Sequence, residues 1–239
     1  MGPMRLDTYL TSNGLAQSRN KAQEMIEEGF VLVDGQQAQK ASLEVGEGEC
    51  VSVLTHARYV SRAGEKLAKF LEDFPLEIEG KRCLDVGSST GGFTQVLLEK
   101  GALHVSAVDV GRDQIHPSLL HYPNLRVYEE TNIKEFRPSV LFEVITCDVS
   151  FVGVEALMPV LDALACGMIV VLFKPQFEVG KEAKRSKKGV VKDGVATMQA
   201  RRRFEIAAAG FGWELCAVEE SKVKGKEGNV EFFYAFKKR

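Results

Sequence analysis

The sequence predicts an α/β protein: a doubly wound, mainly parallel sheet with an antiparallel last strand, preceded by a small α+β module. Three observations predict it. Two short helical patterns and a few short strands fill residues 1–55. From residue 62 to residue 239, short apolar runs alternate with stretches whose apolar residues recur at helical spacing, the βαβ pattern of a parallel sheet. The first alternation turns through a glycine-rich stretch, Asp85-Val86-Gly87-Ser88-Ser89-Thr90-Gly91-Gly92-Phe93-Thr94. Residues 56–61 read as a linker between the two domains.

Composition narrows the function classes. The chain is 45% hydrophobic and 27% charged, which suits one large domain plus a small one. No apolar run approaches the roughly 20 residues that span a bilayer, and the first residues lack a signal peptide's apolar core. A cytoplasmic protein without a membrane partner is the expectation. Five cysteines, an odd number with no C-x-x-C, point to free thiols and no metal site. A net charge of −2 does not mark a nucleic-acid binder in bulk. Residues 181–203, however, carry nine basic residues against two acidic ones, which suits a solvated loop or one facing phosphate.

In the first module, Leu6, Tyr9 and Leu10 share one side of a helix over residues 5–13, stopped by Gly14. Ser18 is a good N-cap for a second helix carrying Ala22, Met25 and Ile26, stopped by Gly29. Val31-Leu32-Val33 is a strand, Asp34-Gly35 a tight hairpin signal, and Val51-Ser52-Val53 closes a small sheet. The stretch RLDTYLTSNGLAQSRNKAQEMIEEGFVLVDG resembles the S4-type RNA-binding module. That resemblance implies that Arg5, Ser18, Arg19 and Lys21 face structured RNA. Residues 1–60 hold five basic and eight acidic residues, so such a module presents one basic face, not a basic whole.

In the second domain, Ser61 caps a helix with Leu67, Phe70 and Leu71 on its buried side; Lys66 lies one residue off that face, where a helical lysine is ordinarily solvated. Residues 82–86 form a buried strand, and Phe93, Val96 and Leu97 mark the helix after the glycine turn. Strands follow at 105–108, 125–128, 144–149 and 168–173, the last a near-continuous apolar run typical of a central parallel strand. Leu157, Val160, Leu161 and Leu164 mark a helix that Pro159 is expected to kink. A helix over 194–209 and an antiparallel edge pair, 213–218 and 230–236, complete the domain.

Two ligands suit a strand, glycine turn and helix: a dinucleotide or S-adenosylmethionine. Gly87, Gly91 and Gly92 let the backbone approach a ligand, and the helix start offers free N–H groups. Asp85 ahead of the first glycine would repel a pyrophosphate but suits an ammonium and a sulfonium. Asp109, with Val110 beside it, ends the next strand where a carboxylate grips a ribose diol. A carboxylate near each end favours S-adenosylmethionine, with Ser88, Thr90, Gly91, Gly92 and Phe93 around its methionine end. Asn132 serves either the adenine edge or a turn.

Asp85, Asp109, Asp148 and Lys174 all end parallel strands, so they line one edge. Glu231, at the start of an antiparallel last strand, joins that edge, and Lys66 reaches in from the side. Lys66, Asp148, Lys174 and Glu231 therefore either converge beside the glycine turn or form structural ion pairs.

The segments SRAGEKL, DVGSSTGGFT, CDVSF, KPQFEVGK, GVVKD and GNVEFF occur in the order of the TlyA family, and this resemblance covers essentially the whole chain. Those proteins are similar to FtsJ-like ribose methyltransferases with an RNA-binding module in front. The resemblance implies a Rossmann-like class I methyltransferase sheet, S-adenosyl-L-methionine as cofactor, and ribosomal RNA or ribosomal subunits as partner. It also implies a cytidine 2′-hydroxyl as acceptor and Lys66, Asp148, Lys174 and Glu231 as a catalytic tetrad. On that reading Lys174 takes the hydroxyl proton, its pKa lowered by Lys66, or only steers the hydroxyl. Asp148 orients Lys174, and Glu231 holds Lys66. Arg62, Lys184, Arg185, Lys187 and Lys188 face RNA, the last four on a segment expected to be mobile until it clamps the substrate. The linker residues Arg58-Tyr59-Val60 depart from relatives that carry tryptophan there.

Rival classes find less in the chain. A methyltransferase for exocyclic amines would place proline in the segment that here reads Asp148-Val149-Ser150-Phe151. Tyr234 and Lys238 satisfy a dehydrogenase's Y-x-x-x-K, but on a terminal strand. A membrane-active haemolysin, a label the TlyA family often carries, lacks a spanning segment here. A ribosome-assembly factor that retains only donor binding would not need the four charged residues.

Overall fold

The computed structural model describes residues 3–16, 18–27, 29–46, 48–53, 58–225 and 227–239. The chain divides into two compact units, Met1–Arg62 and Ala63–Arg239. The expected linker 56–61 falls partly outside the described residues.

The first unit runs β1 (Met4–Arg5), α1 (Leu6–Ser12), α2 (Arg19–Glu27), β2 (Val31–Val33), β3 (Gln36–Gln37), β4 (Glu44–Val45) and β5 (Val51–Val53). β3, β2 and β5 form an antiparallel sheet, while β1 pairs with β4. Asp34 and Gly35 take positive φ between β2 and β3, which gives the hairpin its two-residue turn. Leu6, Leu10, Ala22, Ile26, Val31, Val33, Ala38 and Val45 make a small core. A wholly buried carboxylate, Asp7, supplements it. Arg5 donates from Nε at 3.1 Å and Nη2 at 2.9 Å, Arg19 at 2.9 Å and Gln23 at 3.2 Å.

Arg5 and Arg19 thus each give guanidinium N–H groups to Asp7 while their side chains stay 47% and 56% exposed. Ser18 and Lys21 are engaged too: Ser18 Oγ accepts from Lys21 N at 3.2 Å, and Lys21 Nζ pairs with Glu24 at 2.9 Å. Chiefly Arg5, with Arg19 and Gln23, holds the Asp7 carboxyl far below the usual carboxylate range, against burial that pushes it up.

The second unit runs α3 (Arg62–Asp73), β6 (Arg82–Val86), α4 (Gly92–Glu99), β7 (His104–Val108), β8 (Leu125–Tyr128), β9 (Phe142–Cys147), α5 (Met158–Leu164), β10 (Ala165–Phe173), α6 (Pro175–Glu178), α7 (Gly194–Gly210), β11 (Trp213–Glu220) and β12 (Phe232–Lys238). The sheet order is β11-β12-β10-β9-β6-β7-β8. All neighbours from β10 to β8 are parallel, and β12 runs antiparallel to both of its neighbours. This is the Rossmann-like sheet with an antiparallel last strand. β12 lies between β10 and β11, so it is not an edge strand.

Alternation along β10 divides its side chains between two faces. Ile169, Val171 and Phe173 join a core with α5 and α7, where Phe204 meets Phe173, Tyr234 and Phe236. On the other face Phe233 stacks on Phe70 of α3 at 4.6 Å and meets Phe93 of α4 at 6.0 Å. Pro159 does not kink a helix: Val154–Leu157 is a 3₁₀ turn and Pro159 sits at the start of α5, where its missing N–H costs nothing.

The basic stretch is not an open loop. Ser186 N donates to Val190 O, Gly189 N to Ser186 O and Lys192 N to Lys184 O, closing a hairpin. Arg185 points back at the carbonyls of Gln176, Val179 and Gly180. Lys184, Lys187 and Lys188 stay exposed.

Because the Asp7 carboxyl titrates lower folded than unfolded, its stabilisation is present above about pH 4 and fades as pH falls below that. Asp7→Asn should cost about 1–3 kcal/mol at neutral pH. Amide hydrogen exchange in α1 and α2 of the whole chain should then run roughly ten- to hundred-fold faster than in wild type. The gap should narrow in acid; unchanged exchange at neutral pH would contradict the role given to Asp7.

Candidate active site

β7 and β8 extend the sheet on one side of β6 and β9 on the other, and the chain opens a cleft of about 620 Å³ beside that switch point. Val86, Gly87, Ser89, Asp109, Gly111 and Asn132 line one part, and Asp148 to Val152 another. Val110 lines it too and is largely exposed.

The glycine turn is shaped by the protein's own backbone. Gly87 has φ +77, and a Cβ there would lie 2.5 Å from the carbonyl oxygen of Asp148. Its freedom therefore lets the turn pack against the end of β9. Ser89 takes φ +45 on the cleft wall and donates its N–H to Asp109 Oδ2 at 2.8 Å. Gly111 N donates to Asp109 Oδ1 at 2.7 Å. The Asp109 carboxylate thus ties the glycine turn to the next loop while still lining the cleft. Glu129, just beyond β8, accepts the N–H groups of Asp113, Gln114 and Ile115 and fixes that loop. Asn132 lines the cleft and also caps the turn after it, accepting from Lys134 N at 3.0 Å.

Several expected ligand contacts lie elsewhere. Asp85 is fully buried, because alternation in β6 turns it toward α4 and away from the cleft. Its register partner Thr146 donates to Oδ1 at 2.9 Å, and Thr94 of α4 donates to Oδ2 at 2.7 Å. Burial, outweighing those bonds, pushes its carboxyl up to about 7. Ser88, Thr90, Gly91, Gly92 and Phe93 are buried and absent from the cleft wall. Phe93 is core, and Gly91 leaves room for Ile115 and Leu119, whose side chains a Cβ would meet at 2.8 and 2.5 Å.

At the same sheet edge the structure brings four charged side chains into two pairs. Lys66 Nζ lies 2.7 Å from Glu231 Oε2, with the side chains 10% and 3% exposed. Lys174 Nζ lies 2.6 Å from Asp148 Oδ1, with the side chains 11% and 13% exposed. That second contact is a close ion pair off the hydrogen-bond axis, so Oδ1 has no aligned donor among the described residues. Lys174 instead donates to Ser150 Oγ at 3.0 Å. Sheet register explains the arrangement: Phe173 pairs with Phe232, so Lys174 and Glu231 are the next residues abreast, and Asp148 directly follows β9.

The expected lowering of Lys174 by Lys66 is not what this geometry gives. Burial pulls the Lys174 pKa down, but Asp148 and Glu231 outweigh it and hold it above the ordinary lysine value. Lys174 is therefore an ammonium at neutral pH.

Sequence reasoning passed over Gln176, which donates to Glu231 Oε1 at 3.0 Å, and Gly225, whose Cβ would sit 2.5 Å from the same oxygen. It also passed over Phe151, which is 91% exposed on the cleft rim with φ +68 and tilts on Phe177 at 5.3 Å. A bulky residue in the left-handed region is strained, and such strain collects at functional sites. Tyr234 lines no site: its hydroxyl accepts from Arg201 and donates to Glu205.

Two family models match the chain, an FtsJ-like methyltransferase over residues 59–238 and an S4 domain over residues 4–51. The 23S rRNA (cytidine-2′-O)-methyltransferase TlyA of Campylobacter jejuni is 46% identical, over 98% of this chain and 99% of its own. The 16S/23S rRNA (cytidine-2′-O)-methyltransferase TlyA of Mycobacterium tuberculosis is 40% identical, over 96% and 88%. A solved structure of a hemolysin-named protein from Streptococcus thermophilus superimposes with a TM-score of 0.75 at 31% identity, over 100% of this chain and 89% of that one. Among the described residues no helix is long and apolar enough to cross a membrane.

Asp85 titrates higher folded than unfolded, so its contribution to stability falls as pH rises from about 4 to about 7 and is flat beyond. Asp85→Asn keeps one polar group for each threonine and removes that loss. Denaturant midpoints should therefore favour the variant more at about pH 8 than at about pH 5. A gap that does not change with pH would contradict the buried carboxyl.

Proposed function

The chain belongs to the FtsJ-like methyltransferase family, and we propose that it transfers a methyl group from S-adenosylmethionine to a cytidine 2′-hydroxyl of ribosomal RNA. The observation that carries this reading is the pairing of Lys174 with Asp148, which lines the cleft, and of Lys66 with Glu231 at the same sheet edge. The names of the 46% and 40% identical relatives support the acceptor. The cleft volume suits a nucleoside-sized donor. Asp109, Val110, Gly111 and Asn132 are the residues that would hold its nucleoside end, with the glycine turn and Asp148 toward its cationic end. When bound, the donor supplies an electrophilic methyl on a positively charged sulfur.

The remaining chemistry falls to the side chains. A ribose hydroxyl is a weak nucleophile, and negative charge grows on its oxygen as the proton leaves. Lys174, held as an ammonium, is no base at neutral pH; it donates to that oxygen, steering a lone pair and stabilising the developing charge. The proton passes to water at the cleft mouth. Asp148 fixes Lys174, and Glu231 fixes Lys66 as a second cation at the same edge. Alignment of the reactants supplies roughly 7–11 kcal/mol, more than a single positioned acid or base. Phe151 offers an exposed ring on which the target base stacks. The S4-matched unit, with Arg5, Arg19, Ser18 and Lys21, and the exposed Lys184, Lys187 and Lys188 serve the RNA backbone.

The test is labelled methyl transfer from S-adenosylmethionine to naked RNA and to assembled ribosomal subunits, followed by alkaline hydrolysis of the RNA. A methylated 2′-oxygen cannot attack its phosphodiester, so label should remain in alkali-resistant dinucleotides. Lys174→Ala should lower the rate by roughly 10²–10⁴. Label in mononucleotides would mean base methylation. Donor binding without transfer to any RNA would favour an assembly factor, and leakage of liposomes by the purified protein would favour the haemolysin reading.

A further inference from the structure

We propose that Gln176 is a positioning residue for the methyl transfer, holding the Glu231 carboxylate in the orientation that pairs it with Lys66. The inference rests on the transferase reading above. Gln176 belongs to α6, the four-residue turn that starts directly after Lys174. Pro175 opens that turn, Phe177 N donates to Lys174 O, and Val179 N donates to Pro175 O. One rigid turn therefore sets both Lys174 and Gln176.

Glu231 is gripped on both oxygens. Lys66 takes Oε2 at 2.7 Å, and Gln176 Nε2 donates to Oε1 at 3.0 Å. Gly225 closes the remaining side, since a Cβ there would lie 2.5 Å from Oε1. With Oε1 fixed, the carboxylate cannot rotate away from Lys66.

The cost of this arrangement points to function. An amide oxygen facing a carboxylate is repelled, so Gln176 must present its NH₂ to Glu231 and its Oε1 elsewhere. That Oε1 is buried without a partner among the described residues. A buried acceptor left unpaired costs about 1–3 kcal/mol, which an apolar side chain of the same length would avoid. The glutamine is kept for its NH₂, which fixes Glu231 Oε1 and which no apolar side chain could replace. Among the described residues the charged groups near this position are Glu231, Lys66 of α3 across it, Lys174 at the end of β10, and Arg185, whose Nη1 donates to the Gln176 carbonyl at 3.2 Å.

The experiment compares wild type, Gln176→Leu and Gln176→Glu in methyl transfer to ribosomal subunits, with kcat, the KM for each substrate and the thermal midpoint recorded for all three. Gln176→Leu should lose roughly ten- to hundred-fold in kcat per folded enzyme, with both KM values nearly unchanged, a loss larger than any fall in its thermal midpoint accounts for at the assay temperature. Gln176→Glu should be least active at about pH 8, where two carboxylates face each other, and should recover toward about pH 6 as its protonated form donates to Glu231. Wild type should show no such recovery in that direction. A Gln176→Leu kcat within about twofold of wild type overturns the inference. So does a Gln176→Glu loss that follows only the fraction of folded protein at every pH. Wild type that transfers no methyl at all removes the transferase reading, and this inference with it.

Discussion

A charge taken out of water needs a counter-charge, and the sheet edge beside the cleft is built around that constraint. Lys66, Asp148, Lys174 and Glu231 are each almost enclosed, and each lies against an opposite charge of the group. Losing one partner of a buried pair costs about 3–5 kcal/mol, so the four residues hold one another in place. Sheet register sets the spacing: β12 runs antiparallel beside β10, which puts Glu231 level with Lys174, and β9 delivers Asp148 to the same edge. The reactive arrangement follows from strand pairing and needs no long loop to assemble it.

The cleft obeys a second constraint, close backbone packing. Gly87 is required by the neighbouring Asp148 carbonyl, and Asp109 ties the glycine turn to the loop that Glu129 fixes. The cleft is largely preorganised before any ligand enters, which limits the ordering cost of binding. Opposite it, the 181–193 hairpin is joined to the site at two points. Arg185 caps carbonyls at the end of α6, and Asn229 accepts from Val191 N beside Glu231.

The fold class was legible because its signals are local. Apolar runs marked the strands, and the continuous run of β10 marked a strand covered on both faces. The polar residues at strand ends followed from topology, and the structure gathers Lys66, Asp148, Lys174 and Glu231 at one edge. What failed needed side-chain direction. Asp85 ends a strand too, but its place in the two-residue period aims it at Thr94 and Thr146. Arg5, Arg19 and Arg185 also meet acceptors within the protein, which charge in a sequence does not show. Gln176 gave no signal, since a neutral amide matters only once Glu231 lies beside it. Phe151 gave none either, because exposure of an aromatic residue after a strand depends on a backbone angle.

The central claim is that Lys174 works as an ammonium whose charge is kept by Asp148 and Glu231. The most direct measurement is a pH titration of the Lys174 side-chain nitrogen by NMR, with the resonance assigned by Lys174→Arg and repeated in Asp148→Asn. The wild-type Lys174 should titrate above an ordinary lysine, and that of the variant clearly lower. A wild-type Lys174 that loses its proton near neutral pH would contradict it and return the lysine to the role of general base.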